Sequence, residues 1–305
     1  MYLRVSITDR CNLRCTYCLP EAASFASTRI SPNELQQLMA AVVAAAQVHK
    51  IRLTGGEPTL CPELVEHVRA ARWLVPNVAM TSNGVLLAPL LPALKEAGLA
   101  RVNISLDAAD AAGFATATRR DRFPAVLGAI RAARELGFAP VKVNAVATID
   151  TDAVALVRFA IAERVHLRFI ELMDIGEAHA EWSARHVPTA TLLDQLAAAG
   201  LRLKPDIQRD EPTSRVHVLA GVDPAATTIG FITTVSDPFC ATCDRLRLTS
   251  QGRLHTCLFD EVGTDLISPL RRGDFAGLDA TIRRAVAAKV PAGSHRHGVM
   301  AGIGG

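Results

Sequence analysis

The sequence has little of what membrane proteins and nucleic-acid-binding proteins need. Its longest uninterrupted apolar run, Leu38 to Ala46, is well short of a membrane span. The formal net charge is only +3 in 305 residues, aromatic residues make up 5% of the chain, and no basic stripe is interleaved with aromatic residues. No repeat of fixed period is present. These features predict a globular protein that binds neither nucleic acid nor a membrane surface.

Cysteine is scarce as well, with seven residues, but six of them lie in two tight groups. An odd number of clustered cysteines fits thiolate metal sites in a reducing compartment better than a disulfide scaffold. The first residues, "MYLRVSIT", have the composition of a strand and not of a charged segment followed by an apolar one, so no secretion signal is predicted. We therefore expect a cytoplasmic protein.

Six short runs have the composition of β-strands, and a helical stretch follows each of them. Ser31 to Glu34 form a capping box at the start of the first helix, and Gly98 and Gly137 mark later helix ends. This alternation predicts an α/β fold with a parallel sheet, either open and doubly wound or curled into a barrel. The predicted strands are residues 2–8, 50–55, 77–82, 101–107, 140–146 and 166–172, and the predicted helices are residues 32–48, 62–72, 86–97, 124–136 and 152–164.

The residue pattern within the strands distinguishes between these two architectures. Strands covered by helices on both faces are almost wholly apolar, whereas five of the six predicted strands alternate apolar with polar or charged residues. In the first strand, Leu3 and Val5 oppose Arg4 and Ser6. An apolar face toward helices and a polar face toward a cavity predict a curled sheet, a partial barrel that lines a hollow.

Four cations fall on the polar face of the predicted sheet. Buried cations are costly unless anions meet them, and arginine forms forked contacts with phosphate groups. A bound polyanion such as a triphosphate would satisfy them, and internal ion pairs with Asp107 or Glu171 are the alternative. The four cations are Arg4, Arg52, Lys142 and Arg168.

The loop after the first strand carries Cys11, Cys15 and Cys18 in the spacing C-x3-C-x2-C. Thiolates bind a [4Fe–4S] cluster at one sulfur per iron, so three cysteines on one loop would leave the fourth iron open to a ligand. A structural zinc site would need a second pair of ligands, which is absent near this loop. The motif "GGEP", residues 55–58, ends the next strand at the same edge of the barrel, where barrel active sites form.

A second triplet consists of Cys240, Cys243 and Cys257 in the spacing C-x2-C-x13-C. Together with His255 these cysteines could form a structural zinc site, or they could hold a second iron–sulfur cluster. The spacing alone leaves both alternatives open. The remaining cysteine, Cys61, is interpreted as a buried thiol without a functional role.

The motif "CNLRCTYC" followed by "GGEP" at the next strand end resembles the radical S-adenosylmethionine superfamily. The resemblance implies a partial (β/α)6 barrel of TIM type with a [4Fe–4S] cluster on Cys11, Cys15 and Cys18. It also implies that S-adenosylmethionine binds the open iron of this cluster. One electron from the reduced cluster would then cleave the sulfonium to methionine and a 5′-deoxyadenosyl radical.

The second triplet, within "FCATCDRLRLTSQGRLHTC", and the final "GIGG" resemble the GTP 3′,8-cyclase family, which catalyses the first step of molybdenum cofactor biosynthesis. Further matching segments are "RVSITDRCNLRCTYC", "IRLTGGEP", "TSNG", "NISLDA", "VKVNAV" and "RFIELMDIG". The resemblance implies a second [4Fe–4S] cluster whose free iron contacts guanine. Hydrogen abstraction from C3′ and attack of the C3′ radical on C8, followed by addition of an electron and a proton, would convert GTP to (8S)-3′,8-cyclo-7,8-dihydroguanosine 5′-triphosphate.

The same resemblance assigns roles to individual positions. Tyr17 and Met173 could instead belong to the core, and the terminal glycines could be a frayed end. The positions that match S-adenosylmethionine contacts are Tyr17, Gly56, Ser105 and Met173. Those that match GTP contacts are Arg4, Arg52, Thr81, Lys142, Arg168, Arg245, Leu246 and Arg247. The positions that match a flexible tail reaching the active site are Gly304 and Gly305.

Domain organisation and partners follow from the same resemblance. We expect the barrel in residues 1–225 and a C-terminal region with the second cluster and the tail in residues 226–305. The implied partners are GTP, a reductant of flavodoxin or ferredoxin type, and a downstream cyclic pyranopterin monophosphate synthase, with the chain a monomer or homodimer. The alternative is a radical S-adenosylmethionine enzyme whose auxiliary cluster serves modification of a peptide, which would lack the "CDRLRL" cations and the glycine tail.

Overall fold

All six predicted strands are present in the computed structural model, which describes residues 1–25, 29–206, 213–260 and 262–289. Their observed ends differ from the predicted ends by at most two residues. They are β1 (Tyr2–Ser6), β2 (Lys50–Thr54), β3 (Asn77–Ser82), β4 (Arg101–Ser105), β5 (Lys142–Ala147) and β6 (His166–Glu171). Six further strands follow them, namely β7 (Leu203–Pro205), β8 (Arg215–Leu219), β9 (Ile229–Ile232), β10 (Arg245–Leu248), β11 (Arg253–His255) and β12 (Thr264–Asp265).

The helices between the strands begin and end largely where local sequence signals place them. The Ser31 hydroxyl accepts a hydrogen bond from the Glu34 amide at 3.2 Å, and the Glu34 carboxylate accepts one from the Ser31 amide at 2.7 Å, so the predicted capping box forms. The helices are α1 (Pro32–Ala46), α2 (Leu64–Leu74), α3 (Leu91–Glu96), α4 (Ala111–Thr118), α5 (Phe123–Glu135), α6 (Ala153–Glu163), α7 (Trp182–Arg185), α8 (Thr189–Ala198), α9 (Ile267–Arg271) and α10 (Phe275–Ala287).

The sequence prediction did not include helices α4, α7 and α8 of residues 1–225, and the reason is clearest for α4. Its start has a recognisable signal, because the Asp110 carboxylate accepts a hydrogen bond from the Gly113 amide at 2.8 Å. Its sequence, "AAGFATAT", has glycine and threonine within the helix and a weak apolar periodicity. Phe114 is fully buried in the core, and this packing stabilises a helix whose glycine and threonine residues have low helix propensity.

The twelve strands form one sheet in the order β12-β11-β10-β1-β2-β3-β4-β5-β6-β9-β8-β7. The eight strands from β10 through β9 are parallel, and the outer strands at both edges are antiparallel. Strands of the C-terminal region therefore extend both edges of the six-stranded sheet. In the described part of the chain, no helix is both long and apolar enough to cross a membrane.

The sheet is curled, as strand alternation predicted. Lys50 on β2 and Arg168 on β6 are four strands apart, which is about 19 Å along a flat sheet. Both side chains nevertheless line one cavity. Burial is the largest cause of the lowered pKa of Lys50, and the charges of Arg52, Arg101 and Arg168 lower it further. The polar face of the sheet therefore encloses a hollow, and the fold is a partial barrel with a C-terminal extension.

The opposite face of the sheet forms the hydrophobic core with the helices. Leu3 and Val5 on β1 are fully buried, and Leu38 and Val42 of α1 belong to the same cluster. Because side chains alternate along a strand, a slip of one residue would turn the cations into this core. Burial of the apolar face thus fixes which residues line the cavity.

Glu171, at the end of β6, joins three segments of the chain. Its carboxylate accepts hydrogen bonds from the Thr189 amide and hydroxyl, each at 2.9 Å. It also accepts bonds from the amides of Val235 and Ser236, each at 2.9 Å, and from the Ser236 hydroxyl. Burial acts to raise the pKa of Glu171, but these hydrogen bonds hold the pKa below its ordinary value. The carboxylate fixes the segment that leads to the second cysteine triplet.

Substitution Glu171→Gln should lower the free energy of unfolding by about 1–3 kcal/mol near neutral pH, because an amide cannot accept the same hydrogen bonds. A carboxylate with a lowered folded-state pKa stabilises the fold above its unfolded pKa of about 4.3, and this contribution is lost as the pH falls through the folded value. Urea denaturation at several pH values measures both effects. Glu181→Gln, which alters an exposed pair with Arg185, is the control. If the difference in unfolding free energy between Glu171→Gln and wild type stayed the same in acid, the result would contradict this role.

Candidate functional site

The curled sheet encloses a cavity of about 680 Å³. This volume lies within the range of small-molecule sites. Its wall consists of the polar faces of the strands together with the loops at their C-terminal ends. Both cysteine triplets and all four cations inferred from strand alternation line it. The cavity therefore brings together groups that are up to about 250 positions apart in the sequence.

Strand register arranges the cations in two rows across neighbouring strands. Cα partners across β10, β1, β2 and β3 form one row, which we name the Tyr2 row. The next row, two residues further along each strand, we name the Arg4 row. The Tyr2 row consists of Arg245, Tyr2, Lys50 and Asn77. The Arg4 row consists of Arg247, Arg4, Arg52 and Ala79, with Arg101 of β4 beside Ala79.

Burial, together with the crowding of like charges, lowers the pKa of two of these cations, Arg247 and Arg4. Burial is the largest cause of the lowered pKa of Arg247, and the charges of Arg4 and Arg245 lower it further. Burial likewise lowers the pKa of Arg4 to about 10, with Arg52 and Arg245 contributing and Tyr2 opposing the shift. A bound polyanion would reverse both effects by supplying compensating charge.

Other polar groups of the wall are oriented for a ligand or hold the cations in place. Arg52 donates hydrogen bonds to the Thr81 hydroxyl at 3.0 Å and to the Met80 carbonyl at 3.4 Å. The buried Asn144 Oδ1 and Arg245 Nε, both on residues that line the cavity, have no hydrogen-bond partner among the described residues. Buried polar atoms without partners are rare, so a ligand that satisfies them fits this wall.

Two cations of the wall, Lys50 and Arg101, were absent from the predicted site. Strand alternation could have found them, because Lys50 lies two residues before Arg52 and Arg101 lies two residues before Asn103. Each is the first residue of its strand. The sequence prediction considered only strand interiors and therefore missed them.

The first cysteine triplet is held on the wall by the hydrogen bonds of its own loop. The Arg14 guanidinium donates to the carbonyls of Cys11 and Leu13, each at 2.8 Å. The amides of Arg14 and Thr16 donate to the last residues of α4, each at 3.0 Å. The Cys18 amide donates to the Cys15 carbonyl at 2.9 Å. Three free thiols are thus presented on a short fixed loop.

The two glycines of "GGEP" allow this loop to approach β2. A Cβ atom on Gly56 would lie 2.3 Å from the Arg10 carbonyl oxygen, and one on Gly55 would lie 2.4 Å from that of Thr8. The Gly56 amide donates to the Thr8 carbonyl at 2.8 Å. The glycines therefore serve the contact between two parts of the chain, and Gly56 also lines the cavity.

Glu57 connects "GGEP" to the next strand end. Its buried carboxylate accepts hydrogen bonds from the Ser82 hydroxyl at 2.8 Å and the Asn83 amide at 2.6 Å. The Asn83 side chain donates to Asn12 Oδ1 at 2.7 Å and approaches Cys11 Sγ at 3.9 Å. Burial is the largest cause of the raised pKa of Glu57, although its hydrogen bonds oppose the shift. This chain of contacts orients the first triplet, and the sequence prediction gave Glu57, Ser82 and Asn83 no role.

Tyr17, on the same loop, is anchored to β4 and β5. Its hydroxyl donates to Asp107 at 2.8 Å, and the other oxygen of Asp107 accepts from the Val146 amide at 2.8 Å. Asp107 and Glu171 thus accept hydrogen bonds from groups other than the cavity cations. Ser105 and Met173 line the cavity at the same C-terminal edge. The four positions matched to S-adenosylmethionine contacts therefore share one wall.

The thiols of the first triplet require a cationic partner before they ionise. Burial is the largest cause of the raised pKa values of Cys11, Cys15 and Cys18, and the pKa of Cys18 is raised to about 12. Mutual repulsion of the thiolates and the charge of Asp107 add to the shifts at Cys15 and Cys18. Iron binding would offset this cost, since thiolates are the form that binds metal.

The second triplet lies on the same cavity, where Phe239 and Arg245 pack beside Cys240 and Cys243. The Arg245 guanidinium carbon is 5.1 Å from the centre of the Phe239 ring. His255, the fourth ligand of the alternative zinc site, is buried, and its Nδ1 is 2.9 Å from the Asp260 carbonyl oxygen. Within the described ranges, no three cysteine, histidine or acidic side chains converge on a point for a single ion.

Three predicted positions lie away from the cavity or outside the described residues. The Leu246 side chain is fully buried in the core on the opposite face of β10, so a contact with GTP would have to come from its main chain. Gly304 and Gly305 lie outside the described residues. Cys61 is buried away from both triplets, and its sulfur contacts Arg29 and Glu63, each at 3.3 Å.

Solved structures with the same fold include SuiB of Streptococcus suis. The structure bound to S-adenosylmethionine matches with a TM-score of 0.60 and 14% identity, covering 92% of this chain and 67% of SuiB. The structure bound to the precursor peptide SuiA matches with a TM-score of 0.58 and 13% identity, covering 92% of this chain and 66% of SuiB. At this level of identity the similarity shows the fold alone.

Sequence comparisons identify the family. A model of the Radical SAM superfamily matches residues 5–160, and a model of Molybdenum Cofactor Synthesis C matches residues 165–295. The chain is 43% identical over 309 residues to GTP 3′,8-cyclase of Mycolicibacterium smegmatis, covering 97% of this chain and 84% of the relative. It is 42% identical over 299 residues to GTP 3′,8-cyclase of Heliobacterium modesticaldum, covering 94% of this chain and 90% of the relative. The chain therefore belongs to the GTP 3′,8-cyclase family of the radical S-adenosylmethionine superfamily.

Proposed function

We propose that this chain converts GTP to (8S)-3′,8-cyclo-7,8-dihydroguanosine 5′-triphosphate in the first step of molybdenum cofactor biosynthesis. The observation that carries this proposal is the single cavity whose wall holds two cysteine triplets and two rows of cations. The cofactors of this family are two [4Fe–4S] clusters and S-adenosylmethionine. The sequence-based function and cofactor predictions agree with the family of the chain.

The cations would bind the triphosphate of GTP. Arg4, Arg52 and Arg247 occupy neighbouring strands in one row, and Lys142 and Arg168 extend the positive wall across β5 and β6. Arginine donates two parallel hydrogen bonds to phosphate oxygens, so the row can hold several phosphates at once. The wall thereby fixes the nucleotide at one end.

The cysteine triplets would position the reacting ends of the substrates. Cys11, Cys15 and Cys18 would hold the first cluster, with Tyr17, Gly56, Ser105 and Met173 around S-adenosylmethionine. When bound, this cluster supplies the one-electron cleavage of S-adenosylmethionine. Cys240, Cys243 and Cys257 would hold the second cluster, against which the guanine base would lie. Fixing both substrates in one enclosed cavity supplies orientation and excludes water from the radical chemistry.

Domain organisation and partners complete the proposal. The proposed division at residue 225 falls between β8 and β9, and residues 226–305 include the second triplet and the tail glycines. A flavodoxin- or ferredoxin-type reductant would supply electrons, and cyclic pyranopterin monophosphate synthase would act on the product. We place these reactions in the cytoplasm, with the chain a monomer or homodimer.

Anaerobic incubation of the reconstituted protein with GTP, S-adenosylmethionine and dithionite tests the proposal. Chromatography with mass detection should show 5′-deoxyadenosine together with a cyclised nucleotide that has the mass of GTP but elutes separately from it. Formation of 5′-deoxyadenosine without a cyclised nucleotide would contradict the cyclase assignment and favour a radical enzyme with another substrate.

Serine substitutions in the two triplets should separate the roles of the clusters. Cys15→Ser should abolish 5′-deoxyadenosine formation, whereas Cys243→Ser should retain it and lose the cyclised nucleotide. Each should reduce the iron content from about eight to about four atoms per chain, because each triplet holds one cluster. Cys61→Ser, at a buried thiol away from both triplets, is the matched control and should keep full iron content. Cyclisation by Cys243→Ser at the wild-type rate would refute the assigned role.

Substitution Arg247→Met should have opposite effects on nucleotide affinity and on stability. Loss of a charge-assisted contact worth about 1.5–3 kcal/mol should raise the Kd for GTP by about 10–100-fold. Removal of a buried, mutually repelled cation should raise the Tm of the nucleotide-free protein. Calorimetric titration and thermal unfolding measure the two effects. Arg271→Met, at an exposed ion pair with Glu34, should leave the Kd unchanged. Lower stability combined with unchanged Kd would identify Arg247 as purely structural.

A further inference from the structure

Tyr2 stands among the cations of the cavity wall and has no role in the proposed function. It is the first residue of β1 and lines the cavity. In the Tyr2 row its neighbours are Arg245 on β10 and Lys50 on β2. It is the member of the two rows that can carry a negative charge.

The phenol oxygen of Tyr2 makes direct contact with the cations. It accepts a hydrogen bond from Arg52 Nε, and a side-chain hydrogen bond also joins Tyr2 to Arg4. The Lys50 ammonium lies 4.6 Å from the centre of the Tyr2 ring, and the Arg52 guanidinium carbon lies 6.0 Å from it. The cations in contact with Tyr2 are therefore Lys50 and Arg52 on β2 and Arg4 on β1.

Ionisable groups on every element packed against Tyr2 are predominantly cationic. On β10 they are Arg245 and Arg247, with Asp244 just before the strand, whose carbonyl accepts from the Tyr2 amide at 3.0 Å. On β2 they are Lys50 and Arg52, with His49 just before that strand on the cavity wall. The remaining acidic members of the described wall, Glu57 and Asp107, are hydrogen bonded at the C-terminal edge of the barrel.

This surrounding positive charge favours the phenolate. Burial acts to raise the pKa of Tyr2, but the charges of Arg52, Arg4, Lys50 and Arg245 overcome burial and lower the pKa to about 7. The ordinary value for tyrosine is about 10. Tyr2 in turn opposes the lowering of the pKa of Arg4 and of Lys50.

A triphosphate bound to the same cations would reverse this preference. It would bring several negative charges into contact with Arg4 and Arg52 and would thereby repel a phenolate beside them. Protonation of the phenol by a proton from solvent removes that repulsion. Proton uptake and triphosphate binding are therefore linked at this residue.

We propose that Tyr2 is the internal counter-anion of the cation pocket, ionised while the pocket is empty of nucleotide and protonated when a triphosphate binds. The proposal rests on the proposed function only for the identity of the triphosphate. Tyr2 is a positioning residue: it stabilises the crowded cations in place for the phosphates, and it makes triphosphate affinity depend on pH.

The first test is an anaerobic ultraviolet titration of the reconstituted protein without nucleotide, in wild type and Tyr2→Phe. The chain has two tyrosines, so Tyr17 and the clusters contribute to both proteins and cancel in the difference spectrum. We expect a tyrosinate band in the difference spectrum that grows as the pH rises through about 7. Arg52→Met, which keeps Tyr2 and removes an adjacent charge, should move the band to higher pH. A band that grows only near the ordinary tyrosine range of about 10 overturns the proposal.

The second test measures the affinity of both proteins for GTP and for inorganic tripolyphosphate as a function of pH. Titration of the terminal phosphate is common to both proteins and cancels in the ratio of their affinities. Below pH 7 the ratio should be constant. Above pH 7 wild type should weaken relative to Tyr2→Phe by about tenfold per pH unit, because one proton must be taken up for each triphosphate bound.

The outcomes separate this inference from the proposed function. A ratio independent of pH for tripolyphosphate overturns the coupling, even when the tyrosinate band is present. Binding of tripolyphosphate with the expected pH dependence, but no binding of GTP, overturns the proposed function and upholds the inference. Absence of binding of both ligands overturns both, because the pocket would then not be a phosphate site.

Discussion

Burial of the apolar face of one parallel sheet is the constraint on which the site depends. Leu3, Val5 and the matching residues of neighbouring strands are fully buried against helices, so the intervening residues must face the other way. Those intervening residues are the cations, and the curl of the sheet directs them into one hollow. Burial of the apolar side chains thereby places charged side chains in a cavity, although their own solvation would favour exposure to water. The free energy gained by burying the apolar face offsets the desolvation cost of the cations on the polar face.

The sequence alone determined much of this arrangement, because alternation is a local property. Arg4 and Arg52 were assigned to the cavity from their neighbours, and the register confirms that they are directly opposed. The site could not be completed in the same way. Contacts such as that of Glu57 with Asn83, or of Tyr17 with Asp107, join residues on different strands through geometry that no local pattern encodes. The cysteine motifs located the two triplets but not the hydrogen bonds that hold the first triplet's loop.

The departures from prediction have physical causes. Helix α4 has weak local propensity and depends on Phe114 for its packing. Lys50 and Arg101 lie at strand starts, whereas only the interiors of the strands were considered in predicting the cavity cations. Leu246 was assigned with the arginines on either side of it, although alternation turns its side chain into the core. Tertiary packing was needed only to identify α4, because strand alternation already held the information on Lys50, Arg101 and Leu246.

The position of β10 beside β1 has a consequence for the order of assembly. Its pairing with β1 joins two segments that have about 240 residues between them. During synthesis from the N-terminus, β1 through β6 are complete before β9 and β10 exist, and contacts of such sequence separation form late. Arg245 and Arg247 therefore enter the sheet as it closes. Two cations of the cavity wall thus arrive last, when the remainder of the barrel is already in place to hold them.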